Sequence, residues 1–126
     1  PFVLTNERAQ RAISYSVEEK SVAQLQADLA SGAVTSEQLV QDYIERINHI
    51  DRAGPNLNAV IALNPDAQAQ ARVLDQERQS GHLRGPLHGI PILVKDNIET
   101  QDEVATTAGS LALAQNITHR DAPLIA

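Results

Sequence analysis

Lys95 closes a run of five residues, Ile90-Pro91-Ile92-Leu93-Val94, that has no polar alternation. Such a run is expected to be a strand buried on both faces, and an ionised amine set directly after it must find a partner or lose its proton. If Lys95 is buried and unpaired, desolvation leaves a neutral amine able to act as a general base or a Schiff-base nucleophile. The alternative is an ordinary strand end, with the amine in water and paired to the neighbouring Asp96. Spacing alone leaves both open.

Other chemistries are poorly supported. The G-x-S-x-G nucleophile elbow does not occur, and without cysteine there is no thiolate nucleophile, disulfide or Cys-based zinc site. His49, His82, His88 and His119 show neither helical i, i+4 pairing nor an H-E-x-x-H pattern, so no zinc site is expected. We read His49, His82 and His119 as solvated or loop histidines, and His88, inside a glycine-bounded turn, as structural. Gly85 and Gly89 lack the spacing of a phosphate-binding loop, and no cofactor is expected. Asn116-Ile117-Thr118 satisfies the N-glycosylation pattern, which is common by chance and carries no weight.

The elements that must position Lys95 follow from periodicity and capping. Residues 1–20 mix apolar and charged positions without a clear period and read as an extended or loosely helical lead-in; residues 21–126 read as part of a single domain. Ser21 and Gln24 form a capping-box pair ahead of Val22, Leu25 and Leu29, and Gly32 stops that helix. Thr35 or Ser36 opens a second helix, the strongest in the chain, with Leu39, Val40, Tyr43, Ile44, Ile47 and Ile50 at intervals of three and four. Gly54-Pro55-Asn56 ends it, and residues 57–63, with Val60 and Ile61, read as a strand.

Asn64-Pro65-Asp66 starts a third helix that runs to about Ser80 and closes at Gly81. Ala67, Ala71 and Leu74 are its apolar contacts, while Asp75, Glu77 and Arg78 are expected in water with no functional reading. Beyond the Gly85-Pro86 turn come the strand 90–94, a polar stretch 99–103, the sequence Thr106-Thr107-Ala108-Gly109-Ser110 and a short helix at Leu111, Ala112 and Leu113. Asp121 is expected to N-cap one more helix, of which only the first residues follow. The chain is therefore expected to stop inside a structural unit, and the absence of any methionine points to processing or excision.

Composition narrows the function classes. The 126 residues fit one domain with an aliphatic core, since aromatics make up only 2% of the chain. Sixteen acidic against ten basic side chains give a net charge of −6 with no basic stripe, which argues against a nucleic-acid surface. No apolar run reaches the roughly 20 residues of a membrane span. The lack of cysteine is compatible with cytoplasm or periplasm.

The string Gly85-Pro86-Leu87-His88-Gly89-Ile90-Pro91-Ile92-Leu93-Val94-Lys95-Asp96-Asn97, followed by Thr106-Thr107-Ala108-Gly109-Ser110, resembles the amidase signature family, most of all its peptide-amidase and plant-type branches. The second helix, with Arg46-Ile47, the segment Leu57-Asn58-Ala59-Val60-Ile61 and Arg120-Asp121-Ala122 are also similar, so about 100 residues carry the likeness. The resemblance implies an α/β fold, with helices packed on a mixed β-sheet that is incomplete in this chain. It implies a Ser, cis-Ser, Lys triad in which Lys95 takes the place of the general base, and a small amide or peptide amide as substrate.

In that family the two serines lie many tens of residues beyond the lysine, whereas only 31 residues follow Lys95 here. Ser110 is too near to serve as either. The chain by itself is therefore expected to be inactive, as an N-terminal fragment with apolar surface left to aggregate or form a homodimer. Two rivals stand beside this reading: a non-catalytic assembly module that pairs through an open sheet edge, and the amidotransferase branch acting on misacylated tRNA, to which the Leu87-His88 turn has less likeness.

Overall fold

The computed structural model describes residues 15–126, so the first fourteen positions of the expected lead-in lie outside the described residues. Helix α1 spans Val22–Ser31 and begins with the reciprocal bonds of a capping box: the Ser21 hydroxyl accepts from the Gln24 amide, and the Gln24 side-chain carbonyl accepts from the Ser21 amide. It ends at Gly32, whose φ of 74° is the left-handed geometry that lets its amide reach the Asp28 and Leu29 carbonyls.

Helix α2 spans Ser36–Arg46, capped by the Thr35 hydroxyl on the Gln38 amide. The helix continues past Arg46, but over Ile47–Ala53 its turns are π-helical. Gly54 closes it with a bond from its amide to the His49 carbonyl, and a Cβ at this position would lie 2.6 Å from that same oxygen. Only glycine fits there. Helix α3 spans Ala67–Gln79. Asn64 starts it from two residues outside, its side-chain oxygen accepting from the Asp66 amide.

The core lies among α1, α2 and the segment before them: Val17, Leu25, Leu29, Val34 and Leu39 are buried together, with Tyr15, Tyr43 and Ile90 packed against them. Burying each of these aliphatic side chains contributes on the order of 1.5–3 kcal/mol. Ile90 matters most for the placement of Lys95, because it roots the segment leading to the lysine in that core.

Three expectations change. Among the described residues, 57–63 and 90–94 form no strand ladder, and Asn58 has a left-handed φ of 51°. The amides of Asn58, Ala59 and Val60 go to the buried Asp51, to its carbonyl and its two carboxylate oxygens, at 2.7–3.2 Å. A strand exists only where a neighbour takes its N–H and C=O groups, and none of the described residues does so for 91–94. Apolar side chains on both segments consequently face solvent, including Leu57 and Leu93 at 66% and 78% exposure. The expected helix near Leu111 is a single 3₁₀ turn, Leu111–Leu113. Asp121 does not cap a helix; its carboxylate accepts from the Gln101 amide at 2.8 Å. No helix of the described residues is long and apolar enough to cross a membrane.

Candidate active site

The turn that delivers Lys95 is fastened from three sides. Within it, the His88 amide donates to the Gly85 carbonyl and the Ile90 amide to the Leu87 carbonyl, at 3.1 and 3.0 Å. The Gln26 side chain of α1 donates to the Pro86 carbonyl. From α3, Arg78 Nη2 donates to the His88 carbonyl at 2.8 Å. From α2, the fully buried Ser36 presses on Gly89, which has a φ of 80° and no room for a Cβ against the Ser36 hydroxyl. Glycine at 89 is thus required both by its backbone and by its neighbour.

His88 is buried and structural, as its turn suggested. Its Nδ1 accepts from the Arg84 amide at 3.2 Å and its Nε2 lies 2.8 Å from the Leu74 carbonyl, so the partners assign the neutral tautomer with hydrogen on Nε2. Arg84 also meets Glu77 through two N–H groups, and the guanidinium holds the Glu77 carboxyl below the usual carboxylate range. Asp75, Glu77 and Arg78 were expected in water, and the structure corrects this: all three are half-buried and bonded to groups that orient the turn or α2. Asp75 accepts from the Ser36 and Glu37 amides at 2.7 and 3.0 Å. Its target is 39 residues away, and no local sequence signal marks such a cap.

Lys95 itself is exposed, contrary to the burial expected of a residue closing an apolar strand. The reason is the missing ladder: no described residue makes a backbone bond to 91–94, and Ile92 and Leu93 are exposed beside the lysine. Nor does it pair with Asp96, since no ion pair between the two is present among the described residues. Asp96 turns the other way, to 106–110. Its carboxylate accepts from the Thr107 hydroxyl, from the Thr107 amide at 3.3 Å and from the Gly109 amide at 3.2 Å. The Thr107 hydroxyl, aided by these amides, holds the Asp96 carboxyl below the usual carboxylate range, against the opposing effect of partial burial.

Beyond Lys95 the bonds are polar. Arg120 grips Glu99 through Nε and Nη2 at 2.7 and 2.8 Å, and Thr106 and Asn116 exchange bonds of 3.0 and 3.1 Å. The Asn116 side chain is thereby engaged in holding the 106–110 loop. His49 and His82 are exposed, and His119 lies at the surface 3.6 Å from Glu103. Among the described residues no cluster of three or more His, Asp or Glu is arranged to hold a metal. Ser110 is exposed, its amide donating to the Thr107 carbonyl.

Comparison with known proteins gives these residues a family context. The family model described as Amidase matches residues 38–126. An amidase-named protein of Schizosaccharomyces pombe is 43% identical over 109 residues, covering 86% of this chain and 18% of that protein. One component of the glutamyl-tRNA(Gln) amidotransferase from Chloroflexus aurantiacus is 46% identical over 95 residues, 75% of this chain and 19% of that component. Among solved structures, the native peptide amidase of Stenotrophomonas maltophilia superposes with a TM-score of 0.76 and 54% identity, over 79% of this chain and 20% of its own. The chain thus spans about a fifth of the length of the relatives it matches.

Proposed function

The chain belongs to the amidase family, and on that premise we propose that it supplies the general base of an amide hydrolase, with Lys95 in that role. The observation that carries the reading is that the family match spans the whole string from Gly85 to Asn97. The uncharged amine of Lys95 takes a proton from a bridging serine, which takes one from a second serine as its oxygen attacks the amide carbonyl. Backbone N–H groups stabilise the resulting oxyanion. The C–N bond then breaks, the leaving amine takes up a proton, and water hydrolyses the acyl-enzyme to the acid.

Residues 90–94 join a mixed sheet with segments outside the described residues, which covers Leu93 and brings Lys95 into a dry site. Both serines likewise come from outside these 126 residues, so the 126-residue chain alone does not turn over amides. Peptide amides and small linear amides are the substrates, by likeness to the peptide amidase.

The test is hydrolysis of a C-terminal peptide amide and of a simple linear amide by the full-length gene product, with and without Lys95→Ala. The substitution should lower kcat by about 10²–10⁴-fold with an unchanged circular dichroism spectrum. Turnover that survives it overturns the assignment. A second reading has the 46% identity to the amidotransferase component in its favour: the same lysine then serves amide hydrolysis inside a complex that acts on glutamyl-tRNA. Activity of the gene product without any partner protein separates the two.

A further inference from the structure

Asp96 is bonded to a single loop more densely than a turn residue requires. Besides the three bonds to its carboxylate, its backbone carbonyl accepts from the Ala108 amide at 3.0 Å, so one residue grips three consecutive ones, Thr107, Ala108 and Gly109. The gripped loop is not relaxed. Ala108 and Gly109 have φ of 49° and 74°, and the Ser110 amide donates to the Thr107 carbonyl at 2.8 Å, a two-residue turn in a left-handed conformation that alanine disfavours. Apolar packing does little to hold it, since Leu111 beside it is 93% exposed. On the other side, the Ile98 amide donates to the Lys95 carbonyl at 2.9 Å.

We propose that Asp96 is a positioning residue for Lys95: it locks the backbone that carries the lysine to the 106–110 loop, so that a flexible four-carbon side chain projects from a fixed root. The inference rests on Lys95 being the base. It fits the chemistry of the contacts, because an ionised carboxylate offers only acceptors and meets three donors, whereas an amide in its place would set its own N–H₂ against some of them. The Thr107 hydroxyl is the side-chain half of the lock. It also accepts from the Gly109 amide at 3.0 Å, so its loss loosens both ends of the turn.

The experiment compares Asp96→Asn, Thr107→Val and Thr107→Ser with the parent in the full-length gene product, with kcat and KM expressed per titrated active site. Displacing a catalytic group by about 1 Å can cost on the order of 100-fold, so Asp96→Asn and Thr107→Val should lower kcat by about 10–100-fold with KM within about twofold. Thr107→Ser keeps the hydroxyl and should bring kcat back to within about threefold of the parent. A role confined to stability would lower the amount of folded enzyme and leave kcat per site unmoved. Should Asp96→Asn fail to fold, the Thr107 pair decides the matter. Parental kcat in Asp96→Asn or Thr107→Val, in a protein that Lys95→Ala inactivates, overturns the proposal and leaves the base assignment standing. Turnover that survives Lys95→Ala overturns both.

Discussion

The molecule divides near residue 90 into two regions held by different forces. Before it, buried aliphatic side chains from Val17 to Ala71 make a core, and Arg78, His88 and Gly89 clip the Gly85 turn onto it. After it, no residue of 91–126 is buried, and order comes from carboxylates that grip backbone amides and from the Glu99–Arg120 pair. The first region owes its order to water exclusion and the second to directed polar bonds. Lys95 sits at the start of the second. A site whose root is a core and whose far side is a polar clamp is well anchored along the chain but open where further structure would cover it.

Breaking the first region should produce the largest effect. Leu39 is completely buried, and Leu39→Ala should cost about 2–5 kcal/mol, measured by chemical denaturation. Gly89→Ala comes next: the left-handed backbone and the crowding against Ser36 together cost on the order of 2–4 kcal/mol. Adding Ser36→Ala removes the hydroxyl and should recover part of that loss, a result that would place the clash where the contacts do. Asp75→Ala, which strips a cap from α2, should lose about 1–2 kcal/mol.

The second region should respond to acid more than to cavities. Asp96 has its carboxyl held below the usual range, so the bonds it makes are fully present above that range and fade as pH falls through the depressed folded value. Amide exchange at Thr107 and Gly109 should accelerate on that descent while the amides of α1 stay protected, and Asp96→Asn should abolish the difference between neutral and acid. Equal acceleration in both regions would erase the distinction drawn between them.

What could be read from the sequence follows the range of the interactions. The Ser21 and Gln24 box, the Gly32 stop, the Thr35 start and the Gly54 end are local, and each is found where the residues indicate. The family string is contiguous too, and the proposal for Lys95 rests on it. The two expected strands fare differently, because pairing depends on partners distant in the chain, and the amides of Asn58, Ala59 and Val60 go to Asp51 instead. Asp75 and Arg78 look like a solvated helix face until their targets, 39 and 10 residues away, are brought against them. The 106–110 loop offers a glycine but no hint that Asp96 would hold it.

The placement of Asp75 has a consequence for the order of folding. At the start of α2 three amides are met by side chains: the Thr35 hydroxyl serves Gln38, while Ser36 and Glu37 depend on a carboxylate carried by α3. Until α3 docks, α2 begins with donors that only water can occupy, and its first turn frays. The two helices therefore gain their stability together and should open together, as one cooperative unit that is completed only after the chain has been made through Asp75. Gly85, which opens the turn that presents Lys95, lies ten residues beyond Asp75 in the chain, so the carboxylate that completes this unit is made before that turn.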